Sequence, residues 1–526
     1  METRARDGSY AGGGEARREE DAVAKLGDMP LASLDDVPFE TAKFYACRDA
    51  DGTCRIEPIL STRLRNMSLE STYRLELDTY HLLDRMMMVG VKPDLPHFAA
   101  LSFKLQGEIE TLRYKLEKAT GIEGFNANSG DQVADYLFGV LGLPEYKRTS
   151  PDGRASTNDK ILEALEHEFG LQHPEISLTR KYRETYKLKN TFVDRIPDFV
   201  NRFPFDGRVH FTIRTTRVVT GRLAASDPNF LAQPEHGAFA KDFKDGWVAE
   251  DGHVLAAWDE SQIELRVLAH LSQDPYMMGV FRGDIRNPDG SMIDLHAALA
   301  YRIFGVPPDQ QDKSAHRLPA KAINFGIPMG MTAIGLTLEL RKNGLMVEQD
   351  DVQKWLDEAD RTYKLVPAYK KRMIAEAKRN GYIRCLSGRI RYIGGINSWD
   401  ERLRSEAERF SFSTPIQEGA QWIMKQAEKE VWDLLCTYRR KGYYAEPLVQ
   451  KHDALYLELA EGLQYNFNEH MRYCMVDAVE HNLSVPLDIE GEWGYCLGPK
   501  FAERKNPETG KKETYTRNER GMEAFA

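Results

Sequence analysis

Val254-Leu255-Ala256-Ala257-Trp258 is an unbroken apolar run of strand length that stops at a carboxylate, Asp259. A strand apolar at every position is one buried on both faces. Almost two hundred residues later, Leu448-Val449-Gln450, a polar corner at Lys451-His452-Asp453, and Leu455-Tyr456-Leu457 read as strand, turn and strand. Two carboxylates at the ends of buried strands can converge on one edge of one sheet. Hard oxygen ligands suit Mg²⁺, and two such ions ~3.5–4 Å apart can clamp the attacking and leaving oxygens of an in-line phosphoryl transfer. A strand-terminal Asp is also an ordinary turn residue or helix cap. Ser261-x-x-Glu264, which follows at once, likewise reads as a capping box that needs no active site.

Around these strands the patterns are helical. Leu75, Leu82, Met86 and Val89, then Leu101, Leu105, Ile109, Leu112 and Leu116 predict two amphipathic helices between Tyr73 and Lys118, broken at Pro93 and Pro96. Helices are also expected from about Ile293 to Glu430, interrupted by a turn and strands at Gly381 to Ile393. Within that region Arg317, Lys321 and Phe325 stand at i, i+4 and i+8 on a helix starting near Pro319, a stripe of two cations and a ring. Such a stripe can grip a triphosphate while the ring lies against a sugar or base. Taken singly, the stripe reads first as a solvated basic face with Phe325 in the core.

The whole composition narrows the classes. The 526 residues hold 71 Lys plus Arg against 81 Asp plus Glu, a formal charge of −10, with 42% apolar residues. At ~150 residues per domain this suggests roughly three or four lobes. Apolar runs such as Met86 to Val91 fall far short of the ~18 residues of a membrane span, and no apolar h-region follows Met1 to Asp7. The six cysteines form no C-x-x-C pair, which argues against a zinc ribbon or disulfide framework and for a cytoplasmic setting. The acidic total hides a local reversal: Arg180 to Arg222 holds eleven basic and four acidic residues. Nucleic-acid binding depends on the field along one groove and not on the sum. The opening segment Gly8 to Asp21 reads as a linker, and the polar Lys505 to Arg520 tail as mobile.

Taken together, these motifs resemble family A DNA polymerases of the bacterial DNA polymerase I type. Asp259-Glu-Ser-Gln-Ile-Glu-Leu-Arg266 is similar to motif A, Arg317 to Gly330 to motif B, and Lys451-His452-Asp453 to motif C. Tyr186-Lys-Leu-Lys-Asn-Thr191, Thr220-Gly-Arg-Leu-Ala-Ala-Ser-Asp-Pro-Asn229, Asp294-Leu-His296, Glu408-Arg409, Ser413-Thr-Pro-Ile-Gln417 and Val485-Pro-Leu487 fill the intervals in family order from about residue 66 onward. The resemblance implies an α+β right-hand fold with an antiparallel palm sheet, helical thumb and helical fingers. It implies an N-terminal extension at 1–65, thumb with adjoining palm helix at 66–180, palm at 181–275 and 430–526, and fingers at 276–429.

The implied activity is template-directed DNA synthesis from dNTPs by a monomeric catalytic unit using two Mg²⁺ ions. Asp259, Asp453 and the Glu260 carbonyl would hold the metals, and Lys321 would also protonate the departing pyrophosphate. Arg317, Lys321, Phe325, His296, Glu264 and Gln262 would bind the nucleotide, with Glu264 filling the space of a ribose 2′-hydroxyl. Arg222, Arg409, Gln417, His452, Lys187, Lys189 and Asn229 would bind primer-template DNA. A single-subunit RNA polymerase, a reverse transcriptase and a catalytically inactive replisome scaffold are the competing readings. Glu264 disfavours the first two, and the intact acids and cations the third.

Three departures from the family pattern stand out: Met329 where an aromatic Tyr is usual, preceded by helix-ending Pro328; Ala454 where Glu often follows the motif C Asp; and a long Arg282 to Ile293 loop. Phe44-Tyr45-Ala-Cys-Arg-Asp49-Ala-Asp51 resembles the last motif of a 3′–5′ exonuclease domain. Residues 1–65 are too few for that domain, so no intrinsic exonuclease is expected. The segment reads either as a packing helix or as the dock of a separately encoded exonuclease, as in a phage with split genes.

Overall fold

The computed structural model describes residues 39–146, 148–149, 153–235, 237–342, 344–505 and 512–525. The chain divides into two compact units, Met1–Glu70 and Ser71–Ala526. In the first, the described residues form one long helix, α1 (Phe39–Asn66), with Pro58 inside it. Its surface carries the ion pairs Lys43–Glu40 at 3.2 Å and Arg55–Asp51 at 2.8 Å. Tyr45 and Asp49 of the exonuclease-like segment are exposed on this helix. The Gly8 to Asp21 segment lies outside the described residues.

Helix α2 (Glu70–Val89), which falls in the second unit from Ser71 on, is followed by α3 (Leu95–Thr120). The break between them falls where the prolines predict it, but Pro96 belongs to the first turn of α3 instead of preceding it. A first-turn proline costs nothing because that N–H has no helical partner. Asp94 caps the helix by accepting from the His97 N–H at 3.0 Å. Helices α4 (Asp159–Phe169) and α5 (Pro174–Lys187) follow, then strands β1 (Thr212–Arg214), β2 (Ala224–Ser226) and β3 (His253–Glu260). A largely helical stretch comes next: α6 (Ile263–Ser272), α7 (Pro275–Arg282), α8 (Leu295–Phe304), α9 (Leu318–Gly326), α10 (Ala333–Lys342), α11 (Gln349–Thr362) and α12 (Val366–Asn380). The short hairpin β4 (Tyr382–Arg384) and β5 (Ile390–Tyr392) leads into the 40-residue α13 (Glu401–Arg440). The chain ends with β6 (Ala445–Lys451), β7 (Ala454–Ala460), α14 (Leu463–Arg472), β8 (Ile489–Gly494), β9 (Phe501–Lys505), β10 (Lys512–Thr516) and β11 (Glu523–Ala524).

The α+β expectation holds. Strands β11-β8-β3-β7-β6 form one antiparallel sheet with β3 at its centre. Residues Val254 to Trp258 of β3 are all buried, which is why its sequence is apolar without alternation. Trp258 stacks on Phe525 with ring centroids 5.7 Å apart. The long helix α13 runs against α6, where Gly419 lets the two close in: a Cβ at 419 would fall 2.7 Å from Cγ1 of Val267. One large core joins sheet and helices, and a second, smaller one forms around Leu116, Phe125, Leu162, Leu165 and Ile176.

Two expectations need correction. The capping box does not form, because the chain enters α6 through Gln262 in the left-handed region at φ 55°. That shift places Glu264 one position too early to reach back to the cap. The carboxyl-terminal stretch is also not loose where it is described. β10 pairs with β9, and the Arg517 guanidinium binds Asp242 at 2.9 Å and Asp245 at 2.6 Å. Ladder pairing and charge complementarity hold a segment that composition alone marks as mobile.

Candidate active site

The register of the sheet brings the two acids together. Asp259 pairs with Ala454 across β3 and β7, so Asp453 lies one step beyond, in the hairpin turn. The Glu260 N–H donates to the Asp453 carbonyl at 3.1 Å and ties the strand end to the turn. His452 shapes that turn at φ 60°. Its carbonyl accepts from the side-chain amides of Gln421 at 3.1 Å and Gln450 at 3.0 Å. Behind the site, buried Arg266 donates to the Ser261 carbonyl at 2.8 Å and to the Pro486 carbonyl, and its guanidinium lies 4.7 Å from the centre of the Phe281 ring.

The electrostatics of this corner are one-sided. Although Asp259 is an exposed residue, withdrawal of its carboxyl from bulk water, then the charge and hydrogen bond of the Asp453 carboxyl, push its pKa up to about 7. Glu490 and Glu492 add to the shift. Glu260 is buried with neither carboxyl oxygen hydrogen-bonded, and burial, followed by repulsion from Asp453 and Asp259, holds it well above the usual carboxylate range. Acids crowded this way favour a neutralising cation, and the oxygen-only donor set fits a hard divalent ion. Among the described residues no group of three or more His, Cys, Asp or Glu side chains is arranged to hold a metal. A site here would therefore draw on two carboxylates and main-chain oxygen.

Glu264 sits beside this pair, its carboxylate gripped by the Arg222 guanidinium. Burial raises its pKa, the Arg222 charge opposes the shift, and Asp453 adds to it. Gln262 presents a buried side-chain oxygen with no partner.

The cationic stripe forms as the spacing predicts. Arg317, Lys321 and Phe325 are all exposed, and Phe325 is not in the core, its exposure being 46%. Lys321 Nζ lies 5.6 Å from the centre of the Phe325 ring, and Arg317 pairs with Asp294 at 2.9 Å. The His296 ring packs 5.6 Å from that of Phe325. Burial first, then the Lys321 and Arg317 charges, lower its pKa to about 4 against the opposing pull of Asp294. His296 is therefore neutral at physiological pH. Past the stripe the helix ends at Gly326, as Pro328 predicts. Gly330 turns the chain at φ 65°, and a Cβ there would meet Cγ of Arg409 at 2.9 Å. The Gln417 amide donates to the Met329 sulfur at 2.9 Å.

The expected DNA-side residues are scattered. Lys187, Asn229, Arg409 and His452 are exposed, whereas Lys189 is tied to Asp194 at 2.6 Å and Arg222 to Glu264. Sequence reading passed over the Gln421 and Gln450 amides behind the turn and the Lys244–Glu235–Lys451 cluster next to it. The Gln421 amide and Glu235 meet the turn only through the fold, lying 31 residues from His452 and 216 from Lys451. A cleft of about 1310 Å³ opens elsewhere in the second unit, lined by α4, α10 and α13 residues including Arg341, Arg402 and Arg409.

An antiparallel sheet that presents paired acids, joined to a helical region with an exposed cation stripe, is the architecture of the polymerase right hand. A sequence model described as DNA polymerase family A matches residues 96–498, and the chain belongs to that family. It is 35% identical over 431 residues to the thermostable DNA polymerase I of Thermus filiformis, covering 82% of this chain and 48% of that one. It is 34% identical over 467 residues to DNA polymerase I of Pseudomonas aeruginosa, covering 88% and 48%. The chain thus spans about half the length of the curated relatives it matches. Among solved structures it resembles the polymerase domain of Pol1 from M. smegmatis in complex with DNA primer-template and dNTP. The TM-score is 0.73 at 28% identity, over 83% of this chain and 72% of that one. Family A polymerases use divalent metal ions. No described helix is long and apolar enough to cross a membrane.

Proposed function

We propose that this chain is a DNA-directed DNA polymerase that adds deoxynucleotides from dNTPs to a primer 3′ end with two Mg²⁺ ions. The observation that carries the reading is the junction of Asp259 and Asp453, two mutually repelling carboxyls at adjoining strand ends, locked by the Glu260 N–H to Asp453 carbonyl bond. Asp259, Asp453 and the Glu260 carbonyl would hold the ions. Bound Mg²⁺ supplies charge that stabilises the attacking and leaving oxygens of the phosphoryl transfer.

The remaining roles belong to side chains. Arg317 and Lys321 bind the triphosphate, Lys321 donates a proton to the departing pyrophosphate, and neutral His296 donates a hydrogen bond to a phosphate oxygen. Phe325 packs beside the sugar and base, Gln262 contacts the nucleotide, and Glu264 fills the space a 2′-hydroxyl would need. Arg222, Arg409, Gln417, His452, Lys187, Lys189 and Asn229 hold primer and template. The thumb is assigned to residues 66–180, the palm to 181–275 and 430–526, and the fingers to 276–429. The M. smegmatis relative, held with primer-template and dNTP, supports this choice of partners, and the cytoplasm is the expected compartment. Primer extension with dNTPs and, separately, with rNTPs tests the reading. Extension with dNTPs only is expected, and failure with dNTPs or preference for rNTPs would overturn it.

A further inference from the structure

Buried behind the cation stripe, two polar side chains without a part in the proposed reaction, Asn324 and Tyr363, form a chain with His296. Asn324 is fully buried on α9, facing the start of α8. Its amide nitrogen lies 3.3 Å from the Leu295 carbonyl and 3.0 Å from Nδ1 of His296. Its amide oxygen lies 2.8 Å from the hydroxyl of Tyr363, itself 1% exposed. The direction of these bonds is determined. A main-chain carbonyl only accepts, so the atom facing Leu295 is the NH₂ group. The same NH₂ then donates to Nδ1 of His296, which must be unprotonated to accept. A neutral imidazole with a bare Nδ1 carries its proton on Nε2. Tyr363 completes the chain by donating to the Asn324 oxygen, which keeps the amide from turning over.

We infer that Asn324 and Tyr363 are positioning residues that hold His296 as the Nε2–H tautomer, leaving that N–H to donate to an anionic oxygen such as that of an incoming phosphate. Among the described residues Nε2 has no hydrogen-bond partner, whereas Nδ1 is committed. Orientation through a buried second partner is the usual way a functional imidazole is kept in one tautomer. Both positions combine near-complete burial with a polar side chain, a costly arrangement unless the group is satisfied. The charged groups facing His296 are Asp294 at the head of its own helix, Arg317 just before α9 and Lys321 on α9. None of them touches Nδ1, so the tautomer is set by Asn324 alone.

The tautomer itself does not depend on the polymerase reading, and only its use on phosphate rests on that reading. The test separates the two. In the full chain labelled with ¹⁵N-histidine, long-range ¹H–¹⁵N spectra, with His296 assigned by its loss in His296→Gln, report which ring nitrogen carries the proton. Wild type is expected to show bare Nδ1 and protonated Nε2 at neutral pH. In Asn324→Asp a carboxylate replaces the donor, so Nδ1 gains a proton and the imidazole charges at higher pH than in wild type. Tyr363→Phe, which removes one oxygen, keeps the fold and is expected to raise KM for dNTP roughly tenfold with kcat changed much less. A protonated Nδ1 in wild type, or a His296 signal indifferent to Asn324→Asp, would overturn the assignment. So would a Tyr363→Phe loss confined to kcat. A protein with the expected tautomer but no primer extension would instead contradict the proposed function and leave the Asn324 assignment standing.

Discussion

The Arg222 guanidinium holds the Glu264 carboxylate, joining a residue expected on DNA to the residue expected to sense the sugar. The pair is largely withdrawn from solvent, Glu264 being 14% and Arg222 31% exposed at the side chain. An ion pair in that setting restricts rotamers as well as charge. The contact thus favours one orientation of the Glu264 carboxylate.

From this pairing follows a selectivity effect. Arg222→Ala frees Glu264 and is expected to lower the dNTP-over-rNTP ratio of kcat/KM by about tenfold, and Glu264→Ala by more. Competing single-nucleotide incorporation measures both. If Arg222 served the primer alone, its variant would weaken primer-template binding and leave the ratio untouched.

Phe325 has a ring whose exposed edge carries no hydroxyl. Phe325→Tyr is expected to increase use of dideoxynucleotide terminators over wild type. Chain-termination ladders on one template decide this, and equal terminator use by the two proteins would contradict the placement of Phe325 beside the sugar.

At Met329 a thioether, bonded by the Gln417 amide, takes the place of a ring. A flexible side chain cannot enforce a flat stack beside a base pair. Met329→Tyr is expected to reduce misincorporation several-fold at little cost in rate. Unchanged error frequency in a mismatch-extension assay would show that this position does not inspect the pair.

Glu428 on α13 is fully buried with neither carboxyl oxygen bonded, and burial, partly offset by Lys425, pushes its pKa up to about 8. In the unfolded chain the group ionises near ~4.3. The folded value is the higher one, so the stability it confers is complete below the unfolded pKa and is lost as pH rises toward 8. Glu428→Gln removes that dependence. Relative to wild type, the variant should gain up to about 1.4 kcal/mol per pH unit across this window, read by denaturant unfolding at several pH values. A difference that does not vary with pH would contradict the shift.

What the sequence disclosed was local. The apolar run ending at Asp259, the hairpin corner at Asp453 and the spacing of Arg317, Lys321 and Phe325 each depend on neighbours a few residues away, and the fold keeps them. What it concealed depends on chain crossings. Arg222 meets Glu264 over 42 residues, and Tyr363 reaches Asn324 over 39. The capping box misled because one left-handed residue, Gln262, moved the helix start by a single position. The tail misled because its charges have partners, Asp242 and Asp245, more than 270 residues earlier.

The shared role proposed for Asp259 and Asp453 is tested by single-turnover primer extension with dNTP and Mg²⁺ on wild type, Asp259→Asn and Asp453→Asn, with primer-template affinity measured in parallel. Each variant is expected to bind DNA as wild type does while losing extension by several orders of magnitude, and chelation of the metal should abolish the wild-type reaction. Extension by Asp453→Asn at close to the wild-type rate would contradict a shared role for the two acids.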